Sequence, residues 1–121
     1  MKKILIVDDS PMVLNIIETA LSLEDYDIVR ASNADEALKK VEAEKFDFGI
    51  FDVNMPGKTG IELIPLVLNH PNGKDMKIVI LTTESSAEIR KKGEDAGASA
   101  WMVKPFKNAE MLELLKQLGD A

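Results

Sequence analysis

The sequence has no cysteine and a single histidine among its 121 residues. The first absence excludes a disulfide framework and any thiolate metal centre, and it agrees with a reducing compartment. Together the two leave no nitrogen and sulfur ligand set of the kind zinc takes. A basic excess is also missing: 15 Lys and Arg stand against 21 Asp and Glu, a net charge of −6. Nucleic-acid binders carry the opposite balance, and an anionic membrane would repel this chain, so neither is expected as a direct partner. Long apolar runs are absent as well. Ile4-Leu5-Ile6-Val7 follows Met1-Lys2-Lys3 and ends, too short for a membrane span or a signal-peptide core. A cytoplasmic location is the expectation. There is no Gly-rich phosphate loop after that run and no Walker sequence, which argues against a nucleotide or flavin site. Repeats, low-complexity stretches and linkers are missing too. With 45% hydrophobic residues the chain is expected to form one domain over residues 1–121, with no room for a second.

What is present is a regular alternation of strand-length apolar runs and helical patterns. Ile4–Val7, rich in β-branched residues, reads as a strand buried on both faces. Ser10-Pro11 then gives a helix cap with proline at the first helical position, and Leu14, Ile17 and Leu21 recur at helical spacing. Tyr26–Ala31 is the second strand. Asn33 and Glu36 are spaced as a capping box ahead of the stripe Ala34, Ala37, Leu38 and Val41. Phe46–Phe51 is the third strand. Thr59 and Glu62 form another capping box before Ile61, Ile64 and Leu68, with Pro65 expected to kink that helix. His70-Pro71-Asn72-Gly73 is a loop, and His70 an ordinary surface residue. Ile78–Leu81 is the fourth strand. Ser85 and Glu88 cap a weak helix that contains Gly93 and has few apolar anchors beyond Ile89 and Ala96. Ala100–Val103 is the fifth strand, and Lys107–Leu118 the last helix, with Leu112, Leu115 and Leu118 on one side. The scattered methionines read as core filler. Five βα units in strict alternation predict a doubly wound α/β fold: a five-stranded parallel sheet with helices on both faces.

Sheets of this kind bind ligands beyond the carboxyl ends of their strands, where the strand order reverses. The residues that follow the strands are therefore the candidates. Asp8 and Asp9 follow the first strand, Asp52 the third, Thr82 and Thr83 the fourth, and Lys104 the fifth. In the flavodoxin-like order 2-1-3-4-5 the first and third strands adjoin at the switch point. That order brings three carboxylates together with a hydroxyl and an ammonium. Carboxylates so close cannot all ionise cheaply without a cation. Mg²⁺ fits: it is hard, prefers oxygen, and takes one or two carboxylates plus phosphate oxygens. Lys104 offers a point charge for a phosphoryl oxygen and a threonine hydroxyl can donate to another, parts suited to phosphoryl transfer. The remaining carboxylate can act as nucleophile and form an aspartyl-phosphate.

Four segments carry a family resemblance: Val7-Asp8-Asp9-Ser10, Phe51-Asp52-Val53-Asn54-Met55-Pro56-Gly57, Leu81-Thr82 and Val103-Lys104-Pro105-Phe106. Each is weak alone, but in this order, each at the end of an expected strand, they are specific. The chain resembles, over essentially its whole length, the receiver domains of two-component response regulators, most closely the single-domain chemotaxis type. The resemblance implies that Asp52 accepts the phosphoryl group. It implies that Asp9 ligates Mg²⁺ directly, Asp8 acts largely through water, and Asn54 offers its backbone carbonyl, with Asp52 completing the metal set. Thr82 and Lys104 would hold phosphoryl oxygens, the bond before Pro105 would be cis, and Trp101 would be the switch aromatic that turns when Thr82 moves. Asn54 and Glu84 occupy positions that tune the lifetime of the phosphorylated state. Implied partners are a histidine kinase as donor, an output protein such as a flagellar motor switch component, and a phosphatase; the chain is expected to be a monomer. It would catalyse only its own phosphorylation and dephosphorylation. The tryptophan at the switch position and Pro65 in the third helix depart from the family pattern.

Other readings stand beside this one. The chain could be a phosphorelay intermediate, passing the group to another histidine, or an adaptor that is not phosphorylated. It could be an Mg²⁺-dependent phosphohydrolase, although such enzymes place Asp-x-Asp after the first strand and this chain has adjacent Asp8-Asp9. Asp8 and Asp9 could merely cap a helix, Asp52 could be a turn residue, Thr82 a strand former and Trp101 a packing residue. The Arg90-Lys91-Lys92 run reads as a solvated helix face.

Overall fold

The computed structural model describes residues 2–55, 57–83 and 86–120, with the backbone alone at position 120. Ten elements alternate along it: β1 (Lys2–Val7), α1 (Pro11–Leu21), β2 (Tyr26–Ala31), α2 (Ala34–Ala43), β3 (Phe48–Asp52), α3 (Gly60–Leu68), β4 (Lys77–Thr82), α4 (Ala87–Ala96), β5 (Ala100–Val103) and α5 (Asn108–Asp120). The strands pair in parallel in the order β2-β1-β3-β4-β5, as expected for a flavodoxin-like fold. β1 and β3 are thus neighbours although β2 intervenes in sequence, and this is where the order reverses.

Successive residues of a strand face opposite sides of the sheet, so the central strands fill two cores. Leu5 and Val7 of β1 face α2 and α3, where Ala37, Val41, Leu63, Ile64 and Val67 are buried. Ile4 and Ile6 face the other side, against Leu14, Ile17 and Leu21 of α1 and Met111 and Leu115 of α5. Both faces are therefore apolar, which explains the unbroken hydrophobic runs.

The helix starts follow from local chemistry. The Ser10 hydroxyl accepts from Val13 N at 3.3 Å, with Pro11 at the first helical position. Thr59 and Glu62 exchange both bonds of a capping box, at 3.0 and 3.2 Å. At α2 the expected box is only half made: Asn33 accepts from Glu36 N at 2.9 Å, but the Glu36 carboxylate reaches one residue further, to Ser32 N. α4 is capped by the Ser86 side chain, accepting from Ile89 N, and the expected cap Ser85 lies outside the described residues. α3 runs as one element through exposed Pro65 to Leu68. Several boundaries differ from the sequence reading. β1 begins at Lys2, and β3 is shifted, because Phe46 leaves the ladder to bond Asn72 O. β4 extends one residue beyond each expected end, to Lys77 and Thr82, so Asp52 and Thr82 are the last residues of β3 and β4 and do not follow them. In α5 the buried residues are Met111 and Leu115, with Leu112 and Leu118 only partly covered.

α4 is the least anchored helix. Gly93 is its one buried residue among those described, and it ends on Gly97 at φ +116°, a left-handed conformation that glycine adopts without strain. No helix among the described residues is long and apolar enough to cross a membrane.

Candidate functional site

The carboxyl ends of β1, β3, β4 and β5 converge on one cleft. Asp8 and Asp52 are buried there, 1% and 4% exposed, while Asp9 lies open at the rim. Each of the three offers a carboxylate oxygen, and these atoms all lie within 4.8 Å of one another. Asp8 is held from two sides: Oδ1 accepts from Ser10 N at the start of α1 at 2.9 Å, and Oδ2 accepts from Lys104 Nζ at 3.0 Å. The same ammonium lies 3.4 Å from Asp52 Oδ1, which also accepts from Asn54 N at 3.4 Å. Lys104 is itself placed by its backbone, whose N–H donates to Thr82 O at 2.7 Å, and the Lys104–Pro105 bond is cis. Thr82 is fully buried at the end of β4, in register with Val103.

The charges are unbalanced. Desolvation pushes the Asp52 carboxyl above its ordinary range and the nearby Asp8 charge pushes it further, with Lys104 and the Asn54 N–H opposing. Desolvation works against the Lys104 ammonium, but its hydrogen bond to Asp8 and the charges of Asp52 and Asp8 outweigh it and raise its pKa. Among the described residues the Lys104 ammonium thus contacts two of the three clustered carboxylates, Asp8 and Asp52. The donor set is all oxygen and converges from two adjacent strands, which fits a hard divalent cation such as Mg²⁺.

The structure brings Asp8, Asp9, Asp52, Thr82 and Lys104 to this cleft. Asn54 contributes its backbone N–H, and its side chain is exposed. Glu84 lies outside the described residues. Trp101, on β5 beside Ile80, is partly buried against the core under α4, and an added Cβ at Gly93 would stand 3.1 Å from its ring. Its buried indole N–H has no hydrogen-bond partner among the described residues.

Two features escaped the sequence reading. Gly60, the first residue of α3, packs so closely on β3 that any Cβ there would collide with the Asp52 carbonyl, and its N–H donates to Val53 O at 3.2 Å. The capping box announced this helix, but nothing in the sequence marks the approach. Second, Val13, Ile16, Thr83, Pro105 and Phe106 line an apolar cavity of about 370 Å³ beside Lys104. On the adjoining face of α1, Met12 is 72% exposed, contrary to a reading as core filler, whereas Met55, Met76 and Met111 are buried.

A doubly wound parallel sheet of this order, with an acidic cluster and a lysine at its carboxyl edge, is a flavodoxin-like fold with its candidate cleft at the switch point. Residues 4–116 match the response regulator receiver domain, and the chain belongs to that family. It is 35% identical, over 97% of its length, to the alkaline phosphatase synthesis transcriptional regulatory protein PhoP of Bacillus subtilis, of which it covers 48%. The chain spans about half the length of the curated relatives it matches. Among solved structures it superposes on the chemotaxis protein CheY4 of Vibrio cholerae with TM-score 0.93, at 37% identity and 98% coverage of both chains. It superposes on the response regulator TrrA of Thermotoga maritima, solved in complex with Mg²⁺-BeF, with TM-score 0.85, at 36% identity and 98% and 99% coverage. Receiver domains are signalling switches that take phosphoryl groups from histidine kinases, act on output partners and generally bind Mg²⁺ in an acidic pocket.

Proposed function

We propose that this chain is a phosphorylation-activated response regulator that accepts a phosphoryl group on Asp52 from a histidine kinase and signals by changing shape. The observation that carries the reading is the single ammonium of Lys104, 3.0 Å from Asp8 and 3.4 Å from Asp52, inside a cluster of three carboxylates. Asp8 and Asp9, with Asp52 and the Asn54 carbonyl, would hold Mg²⁺, whose chemistry there is to neutralise charge on the transferring group. A carboxylate oxygen of Asp52 attacks phosphorus, the phosphorus–nitrogen bond of the donor phosphohistidine breaks, and the imidazole leaves. Lys104 exchanges its present carboxylate partners for a phosphoryl oxygen, and the Thr82 hydroxyl donates to another.

A protein donor suits the surroundings. The apolar cavity at Val13, Ile16, Pro105 and Phe106 opens directly beside Lys104, and Ile16 on its wall also lines a neighbouring hollow bordered by exposed Met12, a rim that a docking helix can cover. On the output side, α4 rests on Gly93 and Trp101, so a change in the indole is felt by the helix least tied to the core. Asn54 and Glu84 are proposed to tune the lifetime of the phosphorylated state. The output we favour is chemotactic, a flagellar motor switch component, because the likeness to the Vibrio chemotaxis protein extends over nearly all of both chains. Control of transcription is the second reading, favoured by the regulators that the chain matches over half their length.

The test is titration with beryllofluoride and Mg²⁺, read by Trp101 fluorescence. A saturable change that needs both components and is lost in Asp52→Asn supports the site. Equal signals from parent and variant would remove Asp52 from it.

A further inference from the structure

Away from this cleft, the loop between α3 and β4 holds the dipeptide Asn72-Gly73. Asparagine followed by glycine is the pairing most open to deamidation, because no side chain shields the asparagine Cγ from the next backbone nitrogen. Two packing constraints fix this pair. The Asn72 amide donates from Nδ2 to Val41 O at 2.8 Å and Glu42 O at 3.4 Å, closing the C-terminal end of α2, while Asn72 O accepts from Phe46 N at 3.4 Å. Gly73 is buried against α3, where an added Cβ would collide with Val67 O and lie 2.8 Å from Val67 Cγ1. Neither residue can be exchanged without loss, so the fold retains a chemically labile pair.

The same fold ties up both reacting groups. Gly73 N, the nucleophile, donates its proton to His70 O at 2.9 Å, and Asn72 N donates to His70 Nδ1 at 3.1 Å. The leaving amide is clamped on α2. We propose that Asn72 is a fold-gated deamidation site, silent in the native loop and reactive when residues 70–76 open. In the open loop Gly73 N loses its proton and attacks Asn72 Cγ. The new C–N bond closes a succinimide as the Cγ–Nδ2 bond breaks, and Nδ2 leaves with a proton as ammonia. Water then opens the ring to an aspartyl or isoaspartyl residue. The product carries a carboxylate where the amide donated, facing the carbonyls of Val41 and Glu42. Acceptor meets acceptor, the clip does not re-form, and the opening becomes irreversible. The site thus records, as a covalent mark, how often this edge of the domain has opened.

The experiment compares the intact parent, folded and in concentrated urea, during incubation in mildly alkaline buffer. Peptide fragmentation assigns the amide-to-acid mass gain to its residue. Deamidation at Asn72 is expected to be at least about tenfold slower in the folded chain, since only the open fraction reacts. Equal rates in the two states would overturn the gating. The variant Asn72→Asp tests the clip and is expected to melt below the parent; a melting temperature equal to the parent's would overturn it. The rate comparison needs no variant, so it decides the gating even where Asn72→Asp does not fold.

Discussion

Replacing Lys104 with methionine keeps most of the side chain's volume and removes its charge. In the parent that charge lies 3.0 Å from one buried carboxylate and 3.4 Å from another, with the side chain 19% exposed. At an effective dielectric of about 20, each contact is worth roughly 5 kcal/mol of Coulomb attraction, most of it offset by desolvation. Removing one partner of such a group leaves its counterpart uncompensated and costs about 3 kcal/mol. For a domain of this size that lowers the melting temperature by about 12 °C at neutral pH without Mg²⁺. The loss depends on pH in a definite direction. Burial and the Asp8 charge already hold the Asp52 pKa above its unfolded value, and without the ammonium it rises further. A carboxyl with a raised folded pKa contributes stability that is present at low pH and lost as pH rises through that pKa. The gap between parent and Lys104→Met therefore narrows as pH falls from neutral toward the usual carboxylate range. Added Mg²⁺ narrows it too, because no ammonium competes for the same oxygens. Urea melts at several pH values, with and without Mg²⁺, measure this. A gap that ignored both pH and Mg²⁺ would show that Lys104 acts by packing alone.

Three further outcomes follow from the same geometry. Asp52→Asn removes the carboxyl whose pKa burial raises, so without Mg²⁺ the variant melts above the parent at neutral pH; the advantage shrinks on acidification and reverses on adding Mg²⁺. Thr59→Ala breaks the capping box of α3 and lowers unfolding free energy by about 1 kcal/mol in a urea titration, with an unchanged slope. Gly60→Ala forces the start of α3 off the Asp52 carbonyl, and calorimetric titration finds Mg²⁺ affinity reduced by about tenfold or more in the protein that remains folded.

Much of this was legible in the residues. β2 and β5 have the expected bounds and the strand order matches the expected switch point, and the central strands β1, β3 and β4 were legible because a sheet covered on both faces writes unbroken apolar runs into the sequence. Asp8, Asp9, Asp52 and Lys104 could be placed because strand ends are where such folds collect their chemistry. The strand limits were less legible. Lys2 and Lys3 extend β1 although they are not apolar, since an edge of the ladder needs only backbone pairing. Thr82 and Asp52 remain in their strands for the same reason. Met111 is buried, as core filler should be, but the leucine stripe is offset from the buried side of α5: Met111 and Leu115 face the core while Leu112 and Leu118 are only partly covered. Gly60 was invisible because close backbone approach leaves no trace in composition or period.

The central claim is that Asp52 is the residue phosphorylated. It is tested most directly by incubating the protein with acetyl phosphate and Mg²⁺ and reading intact mass, followed by fragmentation to locate the added group. The account predicts one phosphoryl group on Asp52, dependent on Mg²⁺ and absent from Asp52→Asn. A phosphoryl group retained by that variant, or found on another residue of the parent, would contradict it.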